Sequence, residues 1–288
     1  MTTFHEGELA VQRRAGVARE AARLSGMLTD PSLDGGMGGF LAQRDLAVLT
    51  ARDGEGRLWT SPLVGTPGFL DGSGRHLAVH AGFADTDPLH GLPAGQPVGL
   101  VTVDFARRRR LRVNGTLTAA GPTGLAVEVD QAYGNCPQYI RPRHLDPAGA
   151  PPRQVHARTS TSLTDAHRSA LRSTATLFVG TLHPGGADAS HRGGAPGFVR
   201  VDGDRVWWPD YPGNNMFNTL GNLAVDDSAA LLVLDFERGG TLHLSGRAAV
   251  EWTAPGATDD EGGTGRRVTF RPELIVEADD LPLRATAG

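Results

Sequence analysis

The chain has 288 residues, 39% hydrophobic and 21% charged, with a formal net charge of −4. This is the balance of a folded globular protein large enough for one big domain or two ordinary ones, with no general attraction to nucleic acid. It contains no lysine, so all 28 basic residues are arginine and a Schiff-base or P-loop lysine is excluded; its one cysteine, Cys136, rules out an internal disulfide and a thiolate metal cluster.

In chain order, Val11, Ala15, Ala18, Ala22 and Leu24 recur at a spacing near three to four, which predicts one amphipathic helix over residues 1–25. Thr29–Gly39 reads as a linker and completes an N-terminal unit, residues 1–39. Its Gly35-Gly-Met-Gly-Gly39 run follows no strand and is no dinucleotide fingerprint. From Phe40 the pattern changes to short β-rich runs: Leu46–Thr50, Leu58–Ser61, Phe69–Leu70, Leu77–Val79, Val98–Val103 and Leu111–Val113. Turns such as Asp53-Gly54 punctuate them, as in antiparallel hairpins of a barrel or sandwich. Asp87-Pro88 predicts a brief helix to Leu92. The polar-aromatic loop Tyr133–Ile140 closes a first strand-rich unit, residues 40–140. A Pro-rich crossing segment and a helix entered through Thr164-Asp165 fill residues 141–172. A second strand-rich unit with its tail occupies 173–288, including a mobile loop over 253–267 and a last strand over Val268–Val276. No apolar run approaches the roughly 18 residues of a membrane span, and the start Met-Thr-Thr-Phe-His-Glu carries no signal pattern, so the expectation is a cytoplasmic protein without membrane or nucleic-acid partners.

The two strand-rich units share words. Gly65-Thr-Pro-Gly-Phe69 matches Gly194-Ala-Pro-Gly-Phe198 at an offset of 129. Val103-Asp-Phe105 matches Leu234-Asp-Phe236, Asn114-Gly115 matches Ser245-Gly246, and Leu46–Thr50 matches Leu177–Thr181, all at 131. The physical reading is a duplicated β-unit, each copy covering the open face of the other.

Residues Asp188 to Leu223 carry the densest chemistry. In Ser190-His191-Arg192-Gly193-Gly194 the guanidinium can fork onto an anion, the hydroxyl can donate, and the glycines let backbone amides approach a ligand. Asn214 and Asn215, before Met216, Phe217 and Asn218, open a short helix or serve only as its cap. Trp207 and Trp208 point to opposite faces of a strand, so only one meets a ligand. Alternation aims Arg108, Arg110 and Arg112 to one face, either toward a ligand or as a solvated rim. Cys136 has no adjacent cation and reads as buried, not nucleophilic. His76 and His80 share a strand face without a third ligand, so no metal is expected. The matched Asp104 and Asp235 read as structural.

Through its two Pro-Gly-Phe segments, Phe4–Glu8, Arg107–Gly115, Gln131–Ile140, Ser190–Gly194 and Trp208–Leu223, the chain resembles a known family over roughly Phe4 to Arg284. That family is the pyridoxamine 5′-phosphate oxidase-like, FMN-binding split-barrel proteins, in their tandem, two-barrel variety. The resemblance implies a mainly β fold with short helices, built as tandem Greek-key split β-barrels of six strands each. It also implies an intrachain pseudo-dimer with FMN in the groove, and leaves a homodimer of such chains open. FMN would be held by Ser190, His191, Arg192, Gly193, Trp208, Asn214, Asn215, Met216 and Asn218. Arg108, Arg110, Tyr133, Asn135 and Tyr139 would lie toward the groove and substrate. The matched Ser61-Pro-Leu-Val-Gly65 lacks both His and Arg, so the second copy is expected to bind the flavin phosphate. The implied activity is an FMN-dependent oxidoreductase passing a hydride or electrons to or from an unidentified small molecule. The alternatives are a non-catalytic flavin-binding or scavenging protein, or a split barrel that uses haem, with His183 or His191 as axial ligand, or a deazaflavin instead of FMN.

Overall fold

A computed structural model describes residues 4–28, 31–134, 137–148, 155–258 and 260–286. The short β-rich runs pair into two antiparallel sheets. In the first half lie β1 (Leu46–Arg52), β2 (Leu58–Val64), β3 (Leu70–Ser73), β4 (His76–Val79), β5 (Gln96–Asp104), β6 (Arg109–Gly121) and β7 (Gly124–Gly134). β8 (His144–Pro147) and β9 (Ala157–Ser160) follow, then β10 (Thr176–His183), β11 (Gly186–Gly193), β12 (Arg200–Asp202), β13 (Arg205–Pro209), β14 (Ser228–Asp235), β15 (Gly240–Trp252), β16 (Arg266–Ala278) and β17 (Leu283–Thr286). The strand orders are β2-β1-β5-β6-β7-β4-β3 and β11-β10-β14-β15-β16-β13-β12, so the second sheet repeats the first strand for strand. β9 adds to β16, and β17 pairs with β8. The molecule is mostly β with short helices, consistent with a duplicated split-barrel-like topology. Each hydrogen-bonded path is an open run of seven strands, not the closed six-stranded barrel expected.

Alternation gives every central strand two apolar faces. On β1, Ala47, Leu49 and Ala51 enter the core of their own half, whereas Leu46 and Val48 face the other half. On β10, Leu177 and Val179 turn inward while Phe178 joins Leu46 and Val48 in the shared layer, with Val101, Phe105, Leu232 and Phe236. Burying side chains of this size stabilises by about 1.5–3 kcal/mol each, so each half depends on the other. Close approach is set by glycine: a Cβ on Gly99 would stand 2.6 Å from the Ala189 nitrogen, and one on Gly180 2.1 Å from Thr60 Oγ1. The facing pattern also corrects the repeat. Val48 corresponds to Phe178 and Leu49 to Val179, one residue earlier than the offset of 131, because a one-residue slip would turn every side chain to the wrong face.

Several local expectations change. The N-terminal helix is two, α1 (Glu6–Arg14) and α2 (Ala18–Ala22), broken where Gly16 takes a φ of +73°. The linker contains α3 (Gly36–Leu41), which forms because Leu33 and Leu41 dock into the first core. At Asp87 the carboxylate accepts the Leu89 amide at 2.8 Å, as a cap would, but the chain continues as turns and not as a helix. α4 (Asp165–Ser173) starts at Thr164 with a capping box, as its sequence predicts. The 253–267 segment, expected to be mobile, is tied by Asp260, whose carboxylate accepts the amides of Gly256, Thr264 and Gly265. Among the described residues no helix is long and apolar enough to cross a membrane.

Candidate functional site

The site forms where β11 of the second half meets β6 of the first. Alternation on β11 sends Asp188, Ser190 and Arg192 to one side and Ala189 and His191 into the shared layer. There the His191 ring stands edge-on to Phe178 and Phe105, with centroids 5.6 and 6.0 Å away. From β6, Arg112 enters a fully buried polar node. Its Nη1 donates to both Asp188 oxygens at 3.0 and 3.2 Å and to Asn218 Oδ1 at 3.1 Å, and its Nη2 donates to Ser190 Oγ at 2.6 Å. Ser190 in turn donates to Asp188 at 2.8 Å, so the 2.8 Å contact with Thr219 is donated by the threonine. Burial works against the charge of Arg112, and Asp188 overcomes it.

Two residues earlier on β6, Arg110 donates from Nη1 to His191 Nδ1 at 3.0 Å and to the His191 carbonyl at 3.2 Å. A guanidinium only donates, so Nδ1 offers its lone pair and the ring proton sits on Nε2. Burial, then Arg110 and three further arginines, hold the His191 pKa well below the usual imidazole range. The ring is therefore neutral, with an Nε2–H that has no acceptor among the described residues. Arg192 lies 3.6 Å from Asp210, whose other oxygen takes Arg266 Nε at 2.8 Å.

Arg110, Arg112, His191, Arg192 and Asp210 line a cleft enclosing about 80 Å³. Its mouth is a strap in which Tyr139 stacks on Tyr211 at 5.0 Å and donates its hydroxyl to the Pro212 carbonyl at 3.0 Å. Gly193 lets the strap lie on β11, since a Cβ there would stand 1.9 Å from the Tyr139 oxygen. Among the described residues four non-glycines have left-handed φ, and Tyr139, Asn215 and Phe217 of these line the cleft. Such conformations cost on the order of 1–3 kcal/mol each and gather at functional sites.

Of the residues picked from sequence, Arg110, Tyr139, His191, Arg192 and Gly193 line the cleft, as do Trp208, Asn214, Asn215 and Asn218. Trp208 is fully buried while Trp207 turns outward beneath Arg200 and Arg267. Ser190 lies behind the wall in the Arg112 node. Met216 is buried with Phe4, Leu28 and Tyr133, and its amide donates to Asn214 Oδ1. Tyr133 is sealed beside Arg112. Arg108 does not share the face of Arg110: it sits before β6 in a turn with φ +55°, and Arg108 Nη2 donates to the Pro137 carbonyl at 3.4 Å. Asn135 and Cys136 lie outside the described residues. Asn214 and Asn215 open no helix, because α5 (Asn218–Leu223) begins after Phe217 without a side-chain cap.

Sequence reasoning missed Asp188, Asp210, Thr219 and Glu8. For Asp188 a signal existed, since it is two residues from Ser190 and so shares its face. Glu8 is carried in by α1 and accepts Asn218 Nδ2 at 2.7 Å and the His5 amide at 2.9 Å. Burial pushes its carboxyl up to about 7. His5 donates to Asn222 at 2.9 Å and stacks at 4.2 Å on His183, which burial pulls down to about 4. His183 is thus behind the node, away from the cleft.

The donor set suits a polyoxygenated anion. Arg110, Arg112 and Arg192 outnumber Asp188 and Asp210, and His191 Nε2, Arg192 Nε and Trp208 Nε1 are buried donors without acceptors among the described residues. Among the described residues no three His, Cys, Asp or Glu side chains converge as a metal site.

Residues 163–262 match the family model described as pyridoxamine 5′-phosphate oxidase. No curated protein matches the chain. Similar solved structures include HupZ of Group A Streptococcus, at 16% identity and TM-score 0.32, covering 44% of this chain and 100% of that one. A FAD-binding protein of Mesorhizobium loti has 11% identity and TM-score 0.30, covering 42% and 96%. A Clostridium acetobutylicum protein of the pyridoxinephosphate oxidase family, related to general stress protein 26, has 17% identity and TM-score 0.29, covering 41% and 88%. The chain thus bears a distant, low-identity resemblance to the pyridoxamine 5′-phosphate oxidase-like split-barrel family, anchored in the segment that carries β11 and α5.

Proposed function

We propose that this chain is an FMN-dependent oxidoreductase whose single flavin lies between its two halves, an intrachain pseudo-dimer. The observation that carries the reading is that His191, Arg192 and Trp208, each with a buried N–H that has no acceptor among the described residues, line one cleft together with Arg110 and Arg112. A phosphate inside the cleft satisfies such donors at about 1.5–3 kcal/mol for each charged hydrogen bond. The enclosed space is small, so the ring belongs at the mouth, where Tyr139 and Tyr211 offer aromatic faces. Bound there, the flavin supplies hydride and electron transfer. The chain's own part is to bind and orient it: Arg192 and Arg110 hold the anion, neutral His191 donates from Nε2, and Glu8 fixes Asn218 from behind. The haem reading has less support: the Arg110 donor on His191 Nδ1 keeps the ring proton on Nε2, so that nitrogen offers no lone pair, and His183 does not line the cleft.

The test is an absorption spectrum of the purified protein, followed by titration with FMN. Flavin bands that disappear in Arg192→Ala, and that bleach with NAD(P)H, support the reading. Bands that bleach only with dithionite favour a flavin-binding protein without this turnover. A protein that stays colourless and takes up no FMN overturns it.

A further inference from the structure

Beside the cleft lies a second and larger cavity of about 890 Å³, between the N-terminal segment, α3 and the turn that precedes β6. Arg110 lines both. Its floor is apolar, from Met27, Met37, Phe40 and Leu111, and Met27 is exposed. Its rim is cationic. Arg109 sits 5.3 Å above the Phe40 ring, and Arg108 is held at the edge by its left-handed backbone. Among the described residues neither Arg108 nor Arg109 has a carboxylate within ion-pair distance, whereas Arg107 and Arg44 share Asp104. The one acid among the described lining residues, Asp34, accepts the Gly74 amide and the Ser32 hydroxyl, both at 2.9 Å. An apolar basin edged by guanidinium groups that meet no carboxylate among the described residues complements a molecule with an apolar body and an oxyanion head.

We infer that this cavity binds a small amphipathic organic anion, with the apolar body over Phe40 and Met37 and a carboxylate or phosphate ester at Arg108 and Arg109. That such an anion is the reacting partner of the adjoining cleft rests on the FMN reading; its binding here does not.

The probe is 2-naphthoate, titrated calorimetrically into the full chain against 2-naphthamide, which has the same ring and no charge. The carboxylate is expected to bind about tenfold tighter, the scale of one charged hydrogen bond. The exposed double variant Arg108→Gln/Arg109→Gln is expected to erase that preference with an unchanged melting temperature. Met27→Glu, a like charge on the exposed floor, is expected to weaken naphthoate about fivefold or more and to spare the amide. Saturating FMN is expected to leave naphthoate affinity within about twofold. Absent naphthoate binding, equal affinity for the two probes, or an unaffected double variant overturns the inference; so does competition with FMN, which makes the cavity part of the flavin site. A chain that binds naphthoate in this pattern but takes up no FMN defeats the flavin reading alone.

Discussion

The duplicated halves build two junctions, and the same strand positions meet opposite fates in them. Where β11 meets β6, Arg112 joins Ser190 and Asn218. Where β2 meets β15, the matching residue is His243, which lies 3.4 Å from Ser61 and 3.9 Å from Asp87, the counterparts of Ser190 and Asn218. Both nodes are buried polar clusters that join the halves. Around them the chemistry diverges: His191 and Arg192 are matched by Pro62 and Leu63, and Arg110 by Thr241, which pairs with Asp280 at 3.4 Å. Leu58, Leu182, Ala187 and Ala230 pack near the second junction. Duplication has kept the polar joint twice and the cationic cleft once.

The largest effect should separate the two joints. Arg112→Met leaves Asp188 buried without its cation and should cost about 3–5 kcal/mol in urea unfolding, with FMN uptake lost. His243→Gln removes the hydrogen bond from Nδ1 to the Thr60 carbonyl at 3.1 Å and should cost about 1 kcal/mol with FMN retained. Equal costs would erase the contrast. Next, Leu63→Ala opens a cavity in the first core and should cost about 2–4 kcal/mol without touching flavin affinity. Arg192→Ala, at the matching position, should do the reverse: FMN affinity falls about 30-fold or more while stability moves by under about 1 kcal/mol.

A further effect, masked in the parent chain, is in pH. The folded chain holds the Glu8 proton up to about 7 against 4.5 for the free group, so this residue makes stability fall as pH rises from 4.5 to 7. His183 works oppositely: its folded value near 4 against 6.5 makes stability rise over that interval, which masks much of the trend. Glu8→Gln should therefore expose a net gain in stability across pH 4.5–7, followed by circular dichroism. At the other joint burial also raises Asp87, so Asp87→Asn should remove a falling limb that begins lower, near 3.8. A Glu8→Gln curve parallel to that of the parent would show that α1 does not seal the node.

Much of the frame was legible in sequence because strand alternation and turn chemistry are local. The β-runs and the helix entered at Thr164 follow from residues a few positions apart, and the doubling from short words repeated at offsets of 129 and 131. The break at Gly16 was less visible, since a glycine within an apolar rhythm is tolerated as often as it interrupts. The repeat was readable but its register was not: shared words placed Leu46–Thr50 one residue off, and only burial on two faces settles which side chain looks where.

In the site, the sequence by itself determined the ingredients: an arginine and a neutral-capable histidine beside glycine, on a strand whose twin lacks them. Only the tertiary structure decided that Arg112 and Asp188, 76 positions apart, neutralise one another, and that Arg110 dictates the His191 tautomer. It also decided that Glu8 closes the back of the node while Ser190 and Met216 stay behind the wall. The reason is electrostatic: a charge becomes a ligand, a structural pair or a solvated rim according to which groups share its desolvated space, and that neighbourhood exists only once the two halves have met.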